Sequence, residues 1–166
     1  MASWDEVGAR EPDFAQRVQA LFDAGRHKTL ATLRRDGSPR ISGIEATFGA
    51  GQLWLGMMPG SRKGQDLRRD PRMALHSPSL DPPDDPAGWG GDAKVSGRAV
   101  EATDDAQRRA FSAAAAEGTG QEPPGEFELF RVEVEEVVRT SVGDPPDHLV
   151  IELWRPGAGL RVMRRK

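Results

Sequence analysis

Apolar side chains recur at helical spacing near the start of the chain and at alternating spacing several times afterwards. Phe14, Val18, Leu21 and Phe22 fall at i, i+4, i+7 and i+8. They form one stripe and predict a helix over Asp13–Ala24, with Gly25 as its C-terminal cap. Thr29–Arg34 reads as a strand that runs through the turn signal Asp36-Gly37 into a second strand over Pro39–Phe48. In that second strand Arg40, Ser42, Ile44, Ala46 and Phe48 share one face, with Ile41, Gly43, Glu45 and Thr47 on the other. Gly49-Ala50-Gly51 returns the chain through Gln52–Met58, completing a three-stranded meander.

Residues 61–71, Ser-Arg-Lys-Gly-Gln-Asp-Leu-Arg-Arg-Asp-Pro, break this alternation. Ser61 is suited to be an N-cap, and Asp70-Pro71 ends the helix within three turns. Free amide groups at a helix start attract an anion, and Arg62 and Lys63 deepen that attraction. Arg grips phosphate oxygens in a fork while Lys acts as a point charge. A solvated basic connector fits the same residues. Arg40, on the face of Ser42, is either a cation closing the other side of an anion site or an exposed strand residue. Met57 and Met58 either fill the core or pack against a flat aromatic surface.

The remaining pattern is again mostly strands: Arg72–Ser77, Lys94–Ala102, Phe127–Thr140, Val150–Trp154 and Leu160–Met163. In the third of these Phe130, Val132 and Val134 face opposite to Arg131, Glu133 and Glu135. A helix is predicted over Asp104–Glu117 and a connector over Gly118–Gly125. The Pro-, Gly- and Asp-rich stretch 78–92 reads as a surface loop. About seven strands and three helices with hairpin connections predict a small antiparallel barrel decorated by helices.

With 166 residues the chain suits a single domain over 1–166, with 1–12 as a flexible lead. A net charge of -3 disfavours a generally basic nucleic-acid binder, although the tail Arg161–Lys166 is locally basic. The absence of cysteine removes disulfide, thiolate and iron–sulfur chemistry, and His27, His76 and His148 show no metal-ligand spacing. No metal is expected. The amino terminus lacks a signal-peptide pattern and no run approaches the length of a membrane span, so a cytoplasmic location is expected. Neither a Rossmann nor a P-loop glycine pattern occurs, and Ser61 lacks the setting of a hydrolase nucleophile. Asp13, Asp36, Glu45 and Asp66 show no catalytic pairing and read as structural or solvated.

Four segments in order carry a resemblance. They are Ala-Thr-Leu-Arg-Arg-Asp-Gly-Ser-Pro-Arg-Ile-Ser (31–42), Gly-Gln-Leu-Trp-Leu-Gly (51–56), Ser-Arg-Lys-x-x-x-Leu-Arg-Arg-Asp-Pro-Arg-Met-Ala-Leu (61–75) and Val-Ser-Gly-Arg-Ala (95–99). Together they resemble the pyridoxamine 5'-phosphate oxidase-like FMN-binding split-barrel family, and within it the small flavin- and deazaflavin-dependent members. The resemblance implies a mainly β fold, a six-stranded antiparallel split barrel of Greek-key topology, and a homodimer with a cofactor cleft at the subunit interface. It implies an oxidoreductase that transfers hydride to or from a small organic substrate, using FMN or the deazaflavin coenzyme F-420. Ser61, Arg62 and Lys63 match the phosphate-binding residues, and Arg40 matches a basic residue that also approaches the cofactor. Arg40, Ile41, Ser42, Gly43 and Ile44 match the strand along the ring, with Met57 and Met58 flanking it. The carboxy-terminal motif of true pyridoxamine phosphate oxidases is missing, so that activity is not expected. No protein residue is assigned a catalytic role, because the cofactor carries the redox chemistry. A flavin- or haem-binding carrier or sensor of the same fold is the alternative; the haem-binding branch commonly uses a His on an added tail, and His148 is too weakly placed to support that.

Overall fold

A computed structural model of the protein describes residues 1–119 and 125–166. The chain runs α1 (Trp4–Arg10), α2 (Pro12–Asp23), β1 (Lys28–Leu33), β2 (Pro39–Gly49), β3 (Gln52–Met57), α3 (Arg62–Arg69) and β4 (Arg72–His76). It continues through β5 (Asp92–Glu101), α4 (Asp105–Thr119), β6 (Glu128–Val142), β7 (Leu149–Arg155) and β8 (Gly159–Arg165). The predicted strands and helices are all present, with ends shifted by a few residues. The 78–92 stretch is a loop holding one short 3-10 turn at Pro86–Gly88. Residues 120–124 of the expected connector lie outside the described residues.

Where a flexible lead was expected, residues 4–10 form a helix. Ser3 caps it in a reciprocal capping box with Glu6, and Ala2 pairs with Val134. The described strands number eight against the expected count of about seven, one for each segment read from the alternation, and the last two form a hairpin whose first strand pairs with β6.

Six strands close on themselves. β1 pairs with β2, β2 with β3, β3 with β6, β6 with β5, β5 with β4 and β4 with β1, all antiparallel. β7 and β8 extend the sheet from the far half of β6. A bulge between Ser96 and Gly97 lets β5 and β6 bend around the barrel. There the backbone leaves no room for a side chain: a Cβ on Gly97 would lie 2.1 Å from the Glu133 carbonyl oxygen.

The core follows the alternation of the strands. Leu30, Ile44, Ala46, Leu53, Leu55, Leu75, Val95, Phe130, Val132, Val134 and Val137 point inward and are buried. Trp4, Phe14 and Phe22 from α1 and α2 join them, with Trp4 and Phe22 packed at 4.6 and 5.5 Å from the Phe48 ring. A smaller cluster of Trp54, Phe111, Ala115 and Leu129 seats α4 against the outside of the barrel. No helix among the described residues is long and apolar enough to cross a membrane.

The wall is incomplete at one place. β2 pairs with β1 through Pro39–Ile44, but with β3 only from Glu45 to Gly49. The first half of β2 therefore has a second edge that no strand covers. Beside that edge stands the start of α3.

Candidate functional site

α3 is positioned by its caps. Ser61 is extended, and its hydroxyl accepts a hydrogen bond from the Gly64 amide at 3.2 Å. Asp70 ends the helix, as the Asp-Pro pair predicted. Leu67 packs into the barrel core, holding the polar first turn at the rim. Gly64 makes this seating possible. A Cβ there would lie 2.3 Å from Glu128 Oε2, and the other Glu128 oxygen accepts from the Gly60 amide at 2.9 Å and from Arg68 at 3.0 Å.

Lys63 reaches across the split and donates to the Gly43 carbonyl at 2.6 Å. That carbonyl lies on the uncovered edge of β2. Carbonyl and amide groups of alternate residues in a strand point to the same side, so Ile41 presents its backbone to that edge as well. Partial burial holds the Lys63 ammonium below the usual lysine range. Arg62 is exposed and has no hydrogen-bond or ion-pair partner among the described residues.

Arg40 is not a free cation facing the helix start. Its Nε donates to Asp66 Oδ2 at 2.6 Å, and Asp66 also accepts from Thr32 Oγ1 at 3.0 Å and from Arg69 Nη2 at 2.9 Å. Asp66 is 3% exposed. Burial alone would raise its pKa, but the hydrogen bonds from Arg40, Arg69 and Thr32 outweigh it and hold the carboxyl below the usual range. The carboxylate fixes the Arg40 guanidinium by one nitrogen. Both Nη groups are left without a partner among the described residues.

The sequence-predicted residues divide by face. Lys63 meets the Gly43 carbonyl at the split with Ser61 beside it in the chain, and Arg62 lines a recess together with Arg40. Ile41 is 75% exposed, and a Cβ on Gly43 would meet nothing within 4 Å, so this stretch of β2 is open on its outer side. Met58 is 80% exposed at the end of β3. Ile44 and Met57 point the other way, into the core, and Ser42 lies on the inward face with Arg40. Met57 thus takes the core-filling role, and only Met58 is left to lie beside a ligand. Asp66, read as structural or solvated, is structural and belongs to the site through Arg40.

The donor set suits a phosphate attached to a flat, polar-edged ring. Two cations and the first-turn amides of α3 could hold an anion, and the open β2 edge offers amide and carbonyl groups in one row. The described residues hold no cluster of His, Asp and Glu that could bind a metal ion.

Comparisons with known proteins agree with this architecture. The family model described as pyridoxamine 5'-phosphate oxidase matches residues 14–141. No curated protein matches the chain. Among solved structures, PhzG from Burkholderia lata 383, in complex with tetrahydrophenazine-1-carboxylic acid, is similar over 95% of this chain and 93% of its own. It has 17% identity and a TM-score of 0.63. The conserved hypothetical protein Rv2991 from Mycobacterium tuberculosis is 23% identical over 76% of this chain and 81% of its own, with a TM-score of 0.57. A heme binding protein from Mycobacterium smegmatis is 17% identical over 90% of this chain and 87% of its own, with a TM-score of 0.54. These likenesses establish the fold. The family model covers the whole barrel, from α2 to the end of β6, and the protein belongs to the pyridoxamine 5'-phosphate oxidase family.

Proposed function

We propose that the protein is a flavin- or deazaflavin-dependent oxidoreductase that transfers hydride to or from a small organic substrate. The observation that carries this reading is the meeting of the capped, cationic start of α3 with the uncovered edge of β2, joined by Lys63 and the Gly43 carbonyl. Ser61, Arg62 and Lys63 hold the phosphate of FMN or of coenzyme F-420. The backbone at Ile41 and Gly43 meets the polar edge of the ring, and Met58 lies at its side. The bound cofactor supplies the hydride chemistry. The protein orients the ring, neutralises the phosphate and shields one ring face from water.

The same face supports a homodimer with the cleft at the subunit interface. Ile41, Ala31 and Ala74 lie opposite one another across β2, β1 and β4 on the outer side of the barrel. The large, exposed Ile41 and the two alanines make an apolar strip that a second copy would cover. A sedimentation mass of twice 18.1 kDa is expected, and a monomer at micromolar concentration would rule the dimer out.

A haem carrier is the second reading, because the heme binding protein shares the fold. His148 gives it little support: its ring lies against Gly143 and pairs with Asp147 at 2.7 Å, at the β6–β7 turn.

Riboflavin has the ring of FMN without the phosphate, so titrating both tests the reading. FMN is expected to bind about tenfold tighter or more, the size of one lost charge-assisted grip. Equal affinities would remove the phosphate site from the account.

A further inference from the structure

A lysine is ill suited to an inward position of a barrel strand, yet β1 begins with one there. Lys28, Leu30 and Thr32 alternate onto the buried face of the strand, and Lys28 is 6% exposed. Burying an ammonium is costly unless a carboxylate or several hydrogen bonds compensate it. Lys28 Nζ donates to one acceptor, the Arg26 carbonyl at 3.3 Å, and has no ion pair among the described residues. Asp23 and Glu45 attract it from beyond ion-pair distance, and Glu45 is itself paired with Arg26 at 2.8 Å. Desolvation outweighs both attractions and holds the Lys28 pKa below its ordinary value of 10.5, which favours the neutral amine.

This amine borders a cavity. Lys28 lines an open pocket of about 660 Å³ between the end of α2, the second half of β2 and α4. Phe48 and Ala114 give the pocket an apolar wall, and its other charged residues are Asp23, Glu45 and Glu117 against Arg26. A desolvated lysine beside such a space has an electron pair to offer and room for a reaction partner. The three carboxylates against one guanidinium disfavour an anionic partner.

We propose that Lys28 is a nucleophilic amine that forms an imine with a small uncharged or cationic aldehyde held in this pocket. Nζ adds its electron pair to the carbonyl carbon, and the carbonyl oxygen takes up a proton. The resulting carbinolamine loses water as the C=N bond forms, so Nζ gives up two hydrogens and the aldehyde its oxygen. Asp23 and Glu45, which act on the same amine, are the carboxylates placed to carry those protons. The inference does not rest on the cofactor reading, because neither Ser61, Arg62 nor Lys63 lines this pocket.

Treating the full-length protein with butanal and cyanoborohydride at neutral pH, without flavin, tests this. Cyanoborohydride reduces an imine to a stable secondary amine, which peptide mass mapping assigns to a residue. The other lysines are Lys63, Lys94 and Lys166. Exposure alone favours Lys94 and Lys166, yet Lys28 is expected to be modified about tenfold faster than either. The aldehyde 4-oxobutanoate, the same carbon chain ending in a carboxylate, is expected to modify Lys28 about tenfold more slowly than butanal. In urea the preference for Lys28 is expected to vanish, because unfolding gives every lysine the same solvent. Modification of Lys28 no faster than that of Lys94 and Lys166, an equal or faster reaction with 4-oxobutanoate, or a preference that persists in urea would overturn the proposal.

Discussion

Asp66→Ala is expected to unfold about 10 °C below the wild type, the largest loss of stability predicted for a single side chain here. Asp66 is buried and accepts from three donors, two of them guanidinium groups. Removing it strands the Arg40 and Arg69 charges and the Thr32 hydroxyl together. Breaking a buried ion pair from one side costs about 3–5 kcal/mol, and at this chain length each kcal/mol moves the midpoint by about 2–4 °C. The loss couples to function because Arg40 would no longer be held by its Nε. Asp66→Asn keeps the shape and isolates the charge. The sign with pH follows from the lowered pKa of Asp66. Its contribution is fully present above the ordinary carboxylate value of about 3.9 and is lost as pH falls through the lower, folded value. The wild type should therefore lose stability more steeply than Asp66→Asn below about pH 4. Thermal unfolding followed by circular dichroism measures both effects. A midpoint for Asp66→Ala within a degree or two of the wild type would show that the carboxylate is not holding the two arginines.

Local pattern made most of the scaffold legible. The inward face of β2, the turn at Asp36-Gly37 and the limits of α3 at Ser61 and Asp70 all rest on short-range chemistry, and the structure has each of them. The alternation of Leu53, Leu55 and Met57 also contained the burial of Met57, since all three fall on one face. The Ser3–Glu6 capping box is written in the chain as Ser-x-x-Glu, yet too few apolar residues follow it to mark a helix by periodicity. What local pattern could not show is how distant segments converge. Nothing near Asp66 in sequence indicates that Thr32 and Arg40 meet it, at separations of 34 and 26 residues. The β3–β6 pairing that closes the barrel likewise joins segments far apart in the chain. The uncovered edge of β2, on which the candidate site depends, exists only because β3 stops pairing at Glu45.

The second large effect is expected at Lys63. It is the side chain that joins α3 to the open edge of β2, donating to Gly43 at 2.6 Å, and the most buried cation at the start of that helix. A charge-assisted contact to a phosphate is worth about 1.5–3 kcal/mol, so its loss should weaken FMN affinity by about tenfold or more. Burial holds the Lys63 pKa below its ordinary value of 10.5, so the grip should fade on the alkaline side before a surface lysine would deprotonate. Arg68 provides the control. It sits on the same helix but is committed to Glu101 and Glu128. Fluorescence titration of FMN into the wild type, Lys63→Ala and Arg68→Ala is thus the direct test of a phosphate held at the start of α3. The account predicts a loss of about tenfold or more for Lys63→Ala and a much smaller change for Arg68→Ala. Unchanged affinity in Lys63→Ala, or equal losses in both variants, would contradict it.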